Sequence, residues 1–576
     1  MNIKHSILFS AIALSLTACG SSSDDAPQNT APTSVSLSTT TVAENQMAAT
    51  IGTLSATDAQ NDTLTFELAS GADSRFEING NSLQLKADAM LDYEKETTIT
   101  LPVIVSDGTL STEETLTIEV QDELDFYVFP SKFSDGDSVS YSGQVARHVL
   151  IAELTNYIGS GLQADIENEK VKTKADALAK LYAYYYSDSD ENTTADAVNA
   201  VLNADLTVVA NSEQSSIADI SSGKNLQGKI AGNDGGFDDA VVTQHKDWNA
   251  GTEFEAFSAT YMGDFEQTPE ALLLKFFEVI AINAEAVYAG EHLDDNNFSL
   301  PVYLTKDGHD LKQLVQKFLL GAVAYSQGTD DYLDDATDGK GLKTANAQDG
   351  TSAYSKLEHQ WDEGFGYFGA ARNYLAYTDE EIAGKGGRDG WSSGYYDINM
   401  DGKIDLNSEF NFGNSTNAAK RDLGSAGVTD YTQQAMEAFL AGRRLLNEIA
   451  GTSSDLTDLE MEELKGHRDQ AVLAWEKSIA ATVVHYINDT HADITTGASL
   501  ADTAKHWSEL KGFLIGLQFN PHSPLSDADF TEINNLIGDK PVLDAVNKTA
   551  YLADLLEARA KLQAAYSFDA DVVANW

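Results

Sequence analysis

The chain has 576 residues, 42% of them apolar, with 90 acidic residues against 37 basic ones and a formal net charge of −53. Such a length exceeds what one hydrophobic core organises, so two or three domains are expected. The charge excludes nucleic acid and anionic headgroups as electrostatic partners, because both would be repelled; it suits a chain bathed in salt or divalent cations, which screen its self-repulsion.

The first stretch, MNIKHSILFSAIALSLTACG, sets Lys4 and His5 ahead of an apolar run from Ile7 to Leu16 and then small residues. The run is too short to span a bilayer and reads as a signal peptide over residues 1–18. Cys19 is the sole cysteine, so no intrachain disulfide forms. Leu16-Thr17-Ala18-Cys19 resembles the bacterial lipobox. That resemblance implies lipidation at Cys19, and Gly20 in place of an aspartate implies sorting to the outer membrane, on its periplasmic or its outer face. The alternative is an ordinary signal peptide with a chance cysteine. Residues 19–34, small, polar and proline-bearing, then read as a lipidated flexible tether that reaches the membrane only through its anchor.

From Val35 to Asp125 the pattern is of short alternating runs (SVSLSTTTVAEN, LTFELAS, FEINGNSLQLKA, TTITLPVIVSDG, TEETLTIEVQD) broken by Asn, Asp, Gly and Ser. Strands at this spacing predict an antiparallel β-sandwich. The landmarks VAEN, SATDAQND, FEING, LDYE, VSDG and IEVQDELD, in that order, resemble a cadherin repeat. The resemblance implies calcium, a hard cation that takes about six to eight oxygens. It places Glu44, Asp92, Glu94, Asp122 and Asp125 together at the C-terminal end of the module. Asp58, Gln60 and Asp107 would lie at the other end, where Gln60 stands in place of an aspartate and lowers the charge. Calcium is therefore expected at the C-terminal end, stiffening a spacer; the alternative is a plain sandwich with solvated acids.

Residues 126–576 change to a period near 3.6, in AKLYAYYY, EALLLKFFEVIAINAEAVYAG, HDLKQLVQKFLLGAVAYSQ, AMEAFLAGRRLLNEIAG, QAVLAWEKSIAATVVHYIND, HWSELKGFLIGLQF and AYLADLLEARAKLQAAY. The fold class expected is thus a small all-β sandwich followed by a large all-α helical-bundle domain. QWDEGFGYFG from Gln360 and HWSELKGFLIG from His506 echo each other, with Trp361 on Trp507, Glu363 on Glu509, Gly366 on Gly512 and Tyr367 on Phe513. The segments SVSYSGQVARHVLI, DLKQLVQKFLLGAVAY, EHQWDEGFGYFGAARNY and HWSELKGFLIGLQFNP together resemble the DUF4856 family of bacterial lipoproteins, and more distantly the imelysin-like proteins. The second resemblance implies a role in metal or iron uptake and a metal site at an HxxE motif.

Candidate transition-metal ligands are His506 with Glu509, His359 with Glu363, and His485 with Asp489 one turn on, each pair sharing a helix face. Only His506-Trp507-Ser508-Glu509 has the HxxE spacing, and Ala504 stands where that motif has glycine. The structural alternative is a partly buried polar face. Arg443 and Arg444 would bind a ligand carboxylate or pair with some of the many acids.

Residues 397–409, DINMDGKIDLNSE, match a helix-flanked calcium loop. Asp397, Asn399 and Asp401 take the first, third and fifth positions, Gly402 the turn, the Lys403 carbonyl the seventh, Ile404 the apolar eighth and Asp405 the ninth. Ser408 stands where a bidentate glutamate belongs, with Glu409 one residue late. Either Glu409 still reaches the ion, or Asp405 and water complete the shell. The alternative is an Asx-rich solvated turn. The preceding AGKGGRDGWSSGYYD is glycine-rich and expected to be mobile, so the ion would serve as a clamp.

HExxH does not occur, and enzymatic activity is the least supported reading. The expectation is a calcium-binding, lipid-anchored envelope protein whose helical domain binds a metal or a metal complex, with iron as one candidate. The alternative is a calcium-dependent adhesion protein that contacts a surface partner through the β module.

Overall fold

The computed structural model describes residues 28–44, 48–86, 89, 91, 93, 96–121, 125–232, 268–452, 455–544 and 546–576. The signal peptide, Cys19, Asp92, Glu94 and Asp122 lie outside the described residues. The chain divides after Leu124 into two compact units.

The first unit is a β-sandwich of strands β1 (Thr33–Leu37), β2 (Thr41–Ala43), β3 (Thr50–Thr57), β4 (Thr65–Leu68), β5 (Phe76–Asn79), β6 (Ser82–Leu85), β7 (Thr98–Ser106) and β8 (Ser111–Gln121). One sheet has the order β1-β3-β6-β5 and the other β2-β8-β7-β4. All pairings are antiparallel except β2 with β8. Strict alternation fixes which face is buried: in β7, Ile99, Leu101, Val103 and Val105 point inward while the residues between them stay at least partly in water. They meet Leu54, Phe76, Leu83, Leu85 and Ile118 in one apolar cluster.

The second unit is mainly helical. Its organising helices are α1 (Ser142–Asn156), α2 (Lys174–Tyr185), α3 (Pro269–Ala289), α4 (Leu311–Leu319), α5 (Lys356–Phe368), α6 (Gly413–Gly424), α7 (Tyr431–Ile449), α8 (Asp458–Thr496), α9 (Leu500–Gly516) and α10 (Lys548–Tyr566). The 39-residue α8 is the spine, about 58 Å long at the usual helical rise. It packs against α6, α7, α9 and α10. A capping box at Thr457 and Glu460 starts it, and left-handed Gly497 ends it. After α4 the chain continues through two π-helical turns, Leu320–Tyr325 and Gln327–Tyr332. No helix among the described residues is long and apolar enough to cross a membrane.

The two tryptophan segments occupy like positions. Trp361 on α5 and Trp507 on α9 are both fully buried. The next residue in each accepts a backbone N–H at the entry of an earlier helix: Asp362 Oδ2 from Ser140 ahead of α1 at 3.1 Å, and Ser508 Oγ from Asp310 at the start of α4 at 2.8 Å.

Arg443 of α7 is wholly buried and is held by the acids of α5, with Nη1 on Glu358 Oε1 at 2.6 Å and Nε on Asp362 Oδ1 at 2.8 Å. Its Nη2 donates to Ser138 Oγ at 2.7 Å, and the guanidinium lies 4.9 Å from the Phe129 ring centre. Tyr127 donates its hydroxyl to Asp362 and stacks on Phe365. Arg444 pairs with Asp125 at 2.5 Å. Both arginines of the RR pair therefore serve acids of this chain. Removing one partner of a buried ion cluster strands the others without a counter-charge. Arg443→Met is expected to lower unfolding stability by about 3–5 kcal/mol in chemical denaturation. Neutralising Glu358 and Asp362 as well, to Gln and Asn, should recover a large part of that loss.

Candidate functional site

At the N-terminal end of the sandwich, carboxylate oxygens of Asp58, Asp62 and Asp107 lie within 4.8 Å of one another. The β3–β4 turn builds the cluster: Asp58 Oδ1 accepts the N–H groups of Gln60 and Asp62, each at 2.9 Å. Asp107 Oδ1 accepts from Leu110 and Thr109 at 2.7 Å, and these bonds hold its carboxyl below the usual range. Asn29 reaches in from the segment before β1, its Nδ2 on Asp107 Oδ2 at 2.9 Å. Asn29 Oδ1 and Asp58 Oδ2 are buried without a partner. Unsatisfied oxygens beside clustered carboxylates suit a hard cation. Gln60, where the family pattern has aspartate, accepts instead from Thr30 and so closes the segment over the turn.

Calcium was expected at the C-terminal end instead, where Asp92, Glu94 and Asp122 lie outside the described residues. Of that set, Glu44 is fully buried with Oε2 accepting the Tyr93 N–H at 2.7 Å. Asp125 belongs to the helical unit, where Arg444 takes its Oδ2. The signals missed were Asp62, four residues after Asp58, and Asn29, which reads as part of a tether.

The loop at 397–409 has the backbone the motif predicts. Asp397 accepts from the N–H groups of Asp401 at 3.1 Å and Gly402 at 2.7 Å, and Gly402 adopts φ +88°, where a side chain is disfavoured. Asn399 Oδ1 accepts from Asp401 at 2.9 Å, and Asp401 Oδ1 from Lys403 at 2.9 Å. Ile404 is buried and joins residues 211–213 in a short backbone ladder: its N–H donates to Asn211 O at 3.1 Å, and its carbonyl accepts from Glu213 at 2.8 Å. Glu409, one residue late, turns back across the loop. Its Oε1 accepts from Ile398 at 3.0 Å and its Oε2 from Asp405 at 2.9 Å, and burial raises its pKa. Asp405, expected as the ninth ligand, is also engaged on the exit turn. Its carboxylate is taken by Gln214 at 2.8 Å, by the Asn407 N–H at 3.0 Å and by Ser408 Oγ at 2.6 Å, so it caps the exit turn.

The glycine-rich stretch ahead of the loop is tied down, contrary to its composition. Arg388 makes a two-pronged bond to buried Glu381, at 2.7 and 2.6 Å, which draws that carboxyl down to about 2. The guanidinium lies 3.8 Å from the Trp391 ring centre, and Trp391 stacks on Tyr396. Side chains supply the order that the glycines do not.

The histidines sort differently from their spacing. His506 and Glu509 share α9 but serve different neighbours. His506 Nδ1 meets Asp493 at 2.7 Å, and its Nε2 lies 4.0 Å from Asp489 Oδ2. His485 Nε2 reaches the same Asp489 oxygen at 3.3 Å. Glu509 instead faces Lys317 of α4 at 3.5 Å, with its Oε2 buried and unpartnered. Burial, helped by Arg421, pushes the His485 imidazole down to about 3, so it is neutral at physiological pH, and its Nδ1 is buried without a partner. Burial also raises Asp489. His359 and Glu363 do meet on α5, Nε2 to Oε1 at 3.8 Å, but each also has a partner of its own: His359 Nδ1 on Ser140 O at 3.0 Å, its ring stacked on Tyr354, and Glu363 accepting from Gln144 at 2.8 Å. Asp493 was the histidine partner the spacing missed, although His485, Asp489 and Asp493 repeat every four residues on one face of α8.

A further group, Asp334, Asp335 and His522, lies within 4.8 Å. Lys465 at 2.6 Å and Arg468 at 3.1 Å already neutralise Asp335, so this group reads as an ion-pair network.

Comparison with known proteins divides the chain in the same way. The Cadherin domain family matches residues 38–121, and the family described as Domain of unknown function (DUF4856) matches residues 127–381. The chain thus carries a cadherin domain followed by a DUF4856 domain. No curated protein matches it. Two crystal structures of human protocadherin-24 EC1-2, the second termed form II, are 22% and 23% identical over 19% and 18% of this chain, with TM-scores of 0.15 and 0.16. The chain spans 60% and 51% of their lengths, and likenesses of that size carry no functional argument.

If Glu409 closes the loop on an ion, calcium raises the thermal midpoint of the protein and a chelator reverses the rise. Glu409→Gln should remove most of the part that Asp397→Ala also removes. Burial holds the Glu409 proton more tightly than usual, so calcium must displace it and loop affinity should fall as pH drops from about 7 to about 5; calorimetry at the two pH values checks the sign.

Proposed function

We propose that the protein is a calcium-binding, lipid-anchored protein of the cell envelope whose helical unit binds a transition metal or a complex of one, in metal acquisition. The observation that supports this most is the approach of two imidazoles, His485 and His506, to one oxygen of Asp489 at 3.3 and 4.0 Å. Nitrogen donors with a carboxylate suit zinc, iron, copper or nickel, and iron is the candidate that the distant family resemblance favours. A neutral His485 has a lone pair ready for a metal. Asp493 holds the far nitrogen of His506, as an outer carboxylate holds a metal-bound histidine. Calcium at the 397–409 loop and at the Asp58–Asp62–Asp107 end is structural in this reading. Cys19 carries the anchor, and the outer membrane is the proposed location.

A second reading, calcium-dependent adhesion through the β module, is favoured by the unsatisfied oxygens at its acidic end. Metal analysis of the purified protein with calorimetric titration of calcium, zinc and ferrous iron separates the two. The first reading predicts that Asp397→Ala/Asp401→Ala loses calcium and that His506→Ala loses a transition metal. Calcium binding with no transition metal in any form, together with calcium-dependent self-association, would overturn it in favour of adhesion.

A further inference from the structure

On α6, Asn414, Asn417 and Arg421 follow one another at helical spacing and form a single stripe. All three are more than nine-tenths buried. Each leaves a polar atom without a partner: Asn414 Oδ1, Asn417 Nδ2 and Arg421 Nε. Among the described residues no side-chain hydrogen bond or ion pair holds the Arg421 guanidinium; the charged or ionisable groups that face it are Tyr486 and Asp489 of α8 and its neighbour Asp422. Lys420 beside it is half-buried and faces Lys317, Arg421 and Lys385, with Glu509 as the opposing charge. Burial draws Lys420 down to about 8 and Arg421 down to about 10, as expected of cations kept from water without a close counter-charge.

These groups are a liability to an empty fold. A chain with 90 acidic residues has carboxylates to spare, and other buried arginines are held: Arg443 and Arg468 by two carboxylates each, Arg444 by Asp125, and Arg147 by the Asn225 and Gly143 carbonyls. Among the described residues Arg421 is left with none in contact. A buried donor without an acceptor costs about 1–3 kcal/mol, more when charged. Asn417 Nδ2 and Arg421 Nε are unpartnered donors and Lys420 adds a second positive charge, so the group they call for is an anionic acceptor; Asn414 Oδ1 is itself an acceptor and stands outside this set.

We infer that the helical unit binds a small oxyanion, a carboxylate or a phosphate, through Arg421, Lys420 and Asn417 on the side of α8 that carries His485 and Asp489. The inference deepens the metal reading and takes its location from it: the anion would sit beside the metal, so that the natural cargo is a metal held by a small oxyanion.

The test is calorimetry of the purified protein with inorganic phosphate and with succinate, each with and without zinc. Binding of at least one anion is expected, strengthened by zinc, and weakened at least tenfold by Arg421→Gln and by Lys420→Gln. Which anion binds assigns the source. Because Arg421 has no partner to lose, Arg421→Gln should keep or raise the thermal midpoint measured without anion. No binding of either anion by the wild-type protein, unchanged binding in Arg421→Gln, no effect of bound zinc on the anion, or a lower midpoint in anion-free Arg421→Gln would each overturn the inference. The wild-type protein and His506→Ala keep the two claims apart. Phosphate or succinate bound by the wild-type protein with no zinc, or zinc retained by His506→Ala, sinks the metal reading alone. Zinc bound by the wild-type protein with neither anion sinks this inference alone.

Discussion

The helical unit hangs on a buried charge. Arg443 enters the core from α7 and finds Glu358 and Asp362 one turn apart on α5, with Ser138 completing its donors. The cluster decides more than a helix pair. Asp362 also takes the Tyr127 hydroxyl and the Ser140 N–H, and Asn447 links Glu358 to the Pro130 carbonyl. The segment from Tyr127 to Ser140, which has no helix of its own, is therefore bolted to α5 and α7 by polar bonds. Such a cluster is costly to desolvate and tolerates few registers, so it specifies one arrangement more than it stabilises it.

The same logic repeats along α8. Glu476, wholly buried near its middle, accepts from Tyr325 at 2.9 Å and Tyr566 at 2.7 Å and also from Asn520 and Ser523. It ties α8 to the first π-helical turn, to α10 and to the loop after α9. About two and a half turns further on, the helix presents His485, Asp489 and Asp493. A spine held from several sides keeps that stripe in place opposite His506, so weak local contacts meet with little freedom to lose. Arg443 and Glu476 have their own polar atoms partnered; Asn414, Asn417 and Arg421 at the α6–α8 face each leave one that is not. That contrast separates polar groups spent on the fold from those left for something else.

Much of this was legible beforehand. Alternation marked the sandwich because one face of each strand is buried, and period 3.6 marked the helices for the same reason. The calcium loop could be numbered because its oxygens are local in sequence, and Glu409 bends back into it despite the missing glutamate at Ser408. What the spacing could not supply were the contacts that depend on a neighbouring element. Spacing puts His506 and Glu509 on one face, but α8 and α4 draw them apart. Asp405 is claimed by Gln214, which lies 191 residues away. Mobility was expected of the glycine-rich stretch before the loop, yet Arg388 and Trp391 order it, since composition records glycines and not the bonds around them. Arg421 carried no signal at all: in so acidic a chain a lone arginine reads as paired.

The proposed function requires cations at three separate places, two with oxygen donors and one with nitrogen. Anomalous diffraction from crystals grown with calcium and then soaked in zinc tests it most directly. Calcium peaks are predicted inside the loop between Asp397, Asp401 and Glu409 and at the Asp58–Asp62–Asp107 end, with a zinc peak between His485, Asp489 and His506. A zinc peak only at Asp334 and His522, or none on α8, would contradict it.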